Sequence, residues 1–263
     1  MKSVRYSNKN LLFYFFGGLA LMFIIAPVIN MFWATEMNLL FATARDQDVR
    51  ASIMITLSVS LITTLIFAFF AIPLAYLISK TSGWVRNLLM GIISIPIVIP
   101  HSAAGIAVLG LVSRNSVLGK MASQIGISFI DSPWGIGAAM AYVSLPFLVI
   151  SAVNGFSEIP KNLENAALNL GASGWQVFSR ISLPLAKTSV FSGLILMFSR
   201  GISEFGAVIM LAYFPTITPI LIYDRFTSFG LEYARPVAVI FVLICLAVFL
   251  LFYLLANKKH RDA

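Results

Sequence analysis

Six long apolar runs alternate with short polar segments along the chain, at about 11–33, 53–79, 87–112, 134–154, 188–212 and 236–256. Each can cross the roughly 30 Å of bilayer hydrocarbon, which takes about 20 helical residues. A helix closes its backbone hydrogen bonds internally, so it is the element such runs form in lipid. The polar segment 155–187 follows another period. Leu163, Ala166, Ala167 and Leu170 recur at i, i+3, i+4 and i+7, which places one apolar stripe on a short helix. Pro160 stands at its start and Gly171 just past its end. Ser173 opens a second helix, with Gln176 completing a capping box, and Pro184 stops it. Two short helices hinged at a glycine predict a low-relief knob that docks another protein in water. The predicted fold class is an all-α polytopic membrane protein with six transmembrane helices. It forms a single domain, 1–263, that includes the loop 155–187.

Composition agrees. Hydrophobic residues make up 59% and charged residues 11%, against about 25% charged in an ordinary soluble domain. Mean hydropathy is +0.93. The net charge of +8 does not point to nucleic acid, because the basic residues are scattered over loops rather than set in a stripe. The single cysteine, Cys245, allows neither an internal disulfide nor a thiolate metal site. The first run follows Lys2, Arg5 and Lys9, as a signal peptide would. It is longer than a signal core and no small-x-small pattern ends it, which predicts an uncleaved anchor.

Loop charge predicts the orientation. With the N-terminus inside, the inner segments carry Lys2, Arg5, Lys9, Lys80, Arg86, Lys161, Arg180, Lys187, Lys258, Lys259 and Arg261. The outer loops carry Arg45, Arg50, Arg114, Lys120, Arg225 and Arg235. The positive-inside rule therefore places both termini and the 155–187 loop in the cytoplasm.

Two runs contain unusual chemistry. The third holds Pro96 and Pro100, followed by His101, Ser102 and small residues, which predicts a kinked span. Pro100, His101 and Ser102 are read either as a packing kink or as substrate contacts. The fifth run holds Arg200 and Glu204, four apart and so on one helical face, about 6 Å along the axis. Charges at that depth face the bundle interior or a wet cavity. They form a self-neutralising structural pair, or they line a polar path together with Ser203 and Gly206.

The polar loop resembles the Glu-Ala-Ala loop of binding-protein-dependent ABC importer permeases. Ala166, Ala167, Gly171, Ile181, Leu183 and Pro184 fall on that pattern. Asn165 stands where the family usually has glutamate, and Glu164 lies one residue early. The stretch Arg200 to Ala207, the Pro-rich third run and Arg114 to Gly119 resemble the molybdate/tungstate and sulfate branch of these permeases. The run Thr218 to Gly230 looks closest to archaeal-type molybdate/tungstate permeases. The resemblance covers nearly all of the chain after residue 50. It implies the type I ABC importer permease fold, and it implies ATPase coupling through Glu164, Asn165, Ala166, Ala167, Gly171, Ala172, Ile181, Leu183 and Pro184. It also implies two copies of the permease, two ATPase subunits and an extracytoplasmic oxyanion-binding protein in a multi-pass cell-membrane complex.

The chain has no Gly-x4-Gly-Lys-Ser/Thr phosphate cradle. It is therefore expected to bind no cofactor itself, and ATP with magnesium is used by the partner ATPase. No catalytic residue and no metal ligand set is predicted. An intramembrane enzyme built on His101 and Ser102 lacks a nucleophile elbow or ligand spacing. A passive anion channel would not need the docking knob. A sulfate or thiosulfate permease is the alternative within the branch.

Overall fold

The computed structural model describes residues 9–261 and is helical throughout. Lys2 and Arg5 of the charge count lie outside the described residues. The helices are α1 (Lys9–Trp33), α2 (Met37–Arg45), α3 (Gln47–Lys80), α4 (Gly83–Val98), α5 (His101–Val112), α6 (Val117–Gln124) and α7 (Pro133–Ser157). There follow α8 (Lys161–Asn169), α9 (Gly174–Val177), a π-helical turn at Phe178–Ser182, and α10 (Leu183–Leu185). The chain ends in α11 (Lys187–Ile202), α12 (Val208–Leu211), α13 (Thr218–Phe229) and α14 (Leu231–Arg261). Among the described residues, four helices are long and apolar enough to span a membrane, and up to six if each bent pair counts as one span.

The expected first, second, fourth and sixth spans are α1, α3, α7 and α14. Local chemistry sets several of their starts. Asp46 caps α3 by accepting the Asp48 N–H at 2.8 Å, so that helix begins six residues before its apolar run. Ser132 caps α7, with Pro133 at the first helical position.

The third and fifth spans differ from expectation. The third is no single kinked helix, because α4 and α5 meet at 109°. Pro100 disfavours the α conformation at Ile99, which is extended (φ −75°, ψ 148°), and the helix breaks there. The fifth helix ends at Ile202, and residues 203–207 turn before α12 begins. Glu204 therefore lies beyond the helix that carries Arg200. Its carboxylate Oε1 accepts the Ala207 N–H at 2.8 Å, which satisfies a backbone donor just ahead of α12.

The core is built around α7. Ala71, Ala75, Leu148, Ala152, Phe156 and Met197 close one side of it against α3 and α11. Ala104, Ile136, Met140, Val208 and Ile220 close the other against α5, α12 and α13. The small residues let the helix backbones approach, as association in lipid requires. From Leu12 to Val28 the α1 side chains are exposed, as suits a helix against hydrocarbon. All four tryptophans sit at helix ends and are exposed: Trp33 and Trp134 at one end of the bundle, Trp84 and Trp175 at the other. Trp33, Trp134 and Trp84 suit the membrane–water interfaces, while Trp175 belongs to the short helix α9 outside the spans.

Candidate functional site

Two constructions stand out: a knob at one end of the bundle and a charged cluster where the two helix breaks meet. In the knob, α8 follows Pro160, and Leu170 closes it. Gly171 then takes φ +88°, a conformation that a residue with a Cβ adopts only with strain. Ser173 and Gln176 form both halves of the expected capping box. Asn165, Ala166, Leu168 and Gly171 are exposed, Leu170 is 88% exposed and Trp175 71%. A leucine and a tryptophan this bare, beside small residues, give an apolar face with little relief.

The other side of the knob is fastened to the bundle. Glu164 is buried, at 6% exposure, and faces inward. Lys80, the last residue of α3, donates to both its oxygens at 2.7 and 2.5 Å, and the Ser182 hydroxyl donates to Oε1 at 2.6 Å. The Lys80 ammonium also lies 4.8 Å from the centre of the Tyr76 ring. Tyr76 packs on Phe156 and Phe178, with centroids 5.4 and 5.0 Å apart, and Trp175 joins Phe178 at 5.4 Å. Glu164 is thus a brace, while its neighbour Asn165 points outward. Ile181 and Leu183 are half-buried, Ala172 likewise, and Pro184 is exposed.

The charged cluster joins the α4–α5 break to the α11–α12 break. Arg200 Nη2 lies 2.7 Å from Glu204 Oε2, and His101 Nδ1 lies 3.1 Å from the same oxygen. Arg200 Nη2 also approaches the His101 ring nitrogens at 2.7 and 2.8 Å. Arg200 Nη1 donates to the Ser203 hydroxyl at 3.2 Å. The backbones are close: a Cβ at Gly206 would come 2.9 Å from the His101 Cβ, and one at Gly105 would come 2.6 Å from the Ala207 carbonyl oxygen. Glu204 is completely buried, whereas Ser102 and Ser203 are exposed. No group of three or more metal-ligating side chains occurs among the described residues.

At the far end from the knob, polar contacts tie the loops together. Arg225 donates to Asp46 at 2.6 Å, and this bond holds the Asp46 carboxyl below its usual range. Asp131, at φ +46°, accepts the Tyr213 N–H at 2.9 Å, and the Tyr213 hydroxyl donates to Asp224 at 2.8 Å. The Asp224 bond pushes the Tyr213 phenol up.

Residues 69–261 match the model of the binding-protein-dependent transport system inner membrane component. The chain belongs to this family. It is 36% identical to the molybdate/tungstate transport system permease protein of Thermococcus kodakarensis, over 95% of this chain and 96% of that protein. The permease protein of the same description from Methanocaldococcus jannaschii is 35% identical, over 91% of this chain and 94% of the relative. A probable sulfate transport system permease of Chlorokybus atmophyticus is 32% identical over 75% of this chain and 70% of its own. In fold, this permease is similar to a chain of a bacterial alginate ABC transporter solved with its periplasmic protein. The TM-score is 0.71 at 22% identity, covering 96% of this chain and 94% of that one.

The permease thus brings together the predicted pathway residues from the third and fifth spans, with Pro100, His101 and Ser102 against Arg200, Ser203, Glu204 and Gly206. Sequence reasoning missed Lys80 and Ser182. The available signal was charge balance: Glu164 lies in a loop whose neighbouring inner segment begins with a lysine.

Proposed function

We propose that this permease is the membrane-spanning subunit of an ATP-driven importer for molybdate or tungstate. Two copies pair with two ATPase subunits and receive the oxyanion from an extracytoplasmic binding protein. Both termini and the knob lie in the cytoplasm, and the chain itself holds no cofactor; ATP and magnesium belong to the ATPase. The observation that carries the reading is the knob's exposed face, Asn165 to Gly171 with Trp175, braced from behind by Glu164 on Lys80. A rigid, low-relief face on short helices transmits ATPase closure to α3 and α11, and so moves the bundle as a lever. The 36% identity over nearly the full length of a molybdate/tungstate permease, against 32% over 70% of the length of the Chlorokybus sulfate permease, supports the substrate class. Competition assays separate the two, since molybdate, and not sulfate, should block tungstate uptake.

Gly171→Asp tests the coupling role. It places a Cβ and a charge at φ +88° in open space, so the knob distorts while the bundle stays folded. Uptake and ATPase co-purification should both be lost. Wild-type levels of both in that variant would sink the docking role.

A further inference from the structure

Glu204 Oε2 is buried yet accepts no directed hydrogen bond, although cationic Arg200 and the His101 ring both lie within 3.1 Å. Buried carboxylate oxygens ordinarily take such bonds. This oxygen is therefore held by charge alone, while Oε1 keeps the Ala207 N–H. The Arg200 side chain is 21% exposed and reaches toward Ser203, which is exposed as is Ser102. The charges of Arg200 and Glu204 cancel each other.

A guanidinium fork accepts a carboxylate and a tetrahedral oxyanion through the same donors. We infer that Glu204 is a built-in counter-anion that occupies the oxyanion site of Arg200, and that the travelling dianion displaces it. The inference rests on the importer reading and names how its path is closed at this point. Displacement needs only Oε2 to move, since the Ala207 bond keeps Glu204 anchored. Without a displacing anion the site is neutral and self-filled, so it gives passing anions no charge to follow.

The test uses the permease assembled with its ATPase and binding protein in proteoliposomes loaded with tungstate. Wild type should retain tungstate without ATP. Glu204→Gln keeps the shape and leaves a bare positive charge, which raises local anion concentration and entry rates roughly 10-fold or more in a low-dielectric cleft. Its ATP-independent tungstate release should therefore accelerate by that order, saturate with tungstate, and vanish in the Arg200→Met/Glu204→Gln double variant. Glu204→Asp, which retracts the carboxylate by one methylene, should leak at an intermediate rate and serves if the glutamine variant does not assemble. An assembled Glu204→Gln complex that leaks no faster than wild type would overturn the inference. So would a leak that persists in the double variant, or failure of both single variants to assemble. The importer reading is checked separately, by ATP-dependent tungstate uptake in the wild-type complex.

Discussion

Arg200 and Glu204 show how unequally two partners of one ion pair can be placed. Glu204 is sealed from solvent, while Arg200 keeps part of its guanidinium in the open. Removing one partner of a buried pair leaves an unpaired charge, and the loss scales with how dry that charge is. Arg200→Met strands the buried carboxylate and should cost about 3–5 kcal/mol of stability. Glu204→Gln strands only a partly wet cation and should be milder. The double variant should recover part of the Arg200→Met loss. Thermal unfolding of the purified permease in detergent reads all three, and equal losses in both single variants would contradict this placement. Glu164 carries the same logic to the knob. With Lys80 on both oxygens and Ser182 on one, Glu164→Gln removes charge-assisted bonds worth about 1.5–3 kcal/mol. The expected outcome is a knob more readily cut by protease and uptake reduced several-fold, while the spans remain folded. Unchanged proteolysis would show that the aromatic packing of Tyr76, Phe178 and Trp175 suffices.

At the scale of elements, each helix end has its own cause. Asp46 starts α3 and also holds α13 through Arg225. Because this bond lowers the Asp46 pKa in the folded state, its stabilisation is present above the unfolded value, about 3.9, and fades as pH falls through the lowered one. Asp46→Asn keeps a capping oxygen and removes the charge. It should melt below wild type at neutral pH by an amount in the range of exposed pairs, about 0.2–1 kcal/mol. The two should converge when the pH is taken below the ordinary carboxylate range. A gap that stays constant with pH would assign the effect to something other than this ion pair. The helix breaks have causes as local as the caps. Pro100 forces the first, and the Glu204 carboxylate serves the backbone at the second.

For the whole molecule, the two ends of the bundle differ in kind. One carries the knob with Lys80, Arg86 and Lys161, and the other carries Asp46, Asp131, Asp224 and the loops they tie. In a Cys245→Ala background, cysteine at Lys120 should react with an impermeant thiol reagent in intact cells. Cysteine at Gln176 should react only after permeabilisation. The reverse pattern would invert the orientation and put the knob on the side without ATP.

Much of this was legible along the chain. Apolar length located four spans to within about six residues at their ends, because a helix in lipid must bury its own backbone whatever surrounds it. The stripe from Leu163 to Leu170, the Gly171 stop and the Ser173–Gln176 box were equally readable, since each depends on contacts three or four residues apart. The short helices α2, α6 and α13 were not, as their apolar periods are brief and their places come from packing on the bundle. Nor did the sequence disclose that Glu164 turns inward to Lys80, 84 positions away, or that His101 reaches Arg200 across 99. Inside lipid the outer faces of these helices are apolar too, so hydrophobicity alone does not choose which faces meet. Close approach at Gly105, Ala207 and Gly206 makes that choice, and it exists only once the helices are assembled.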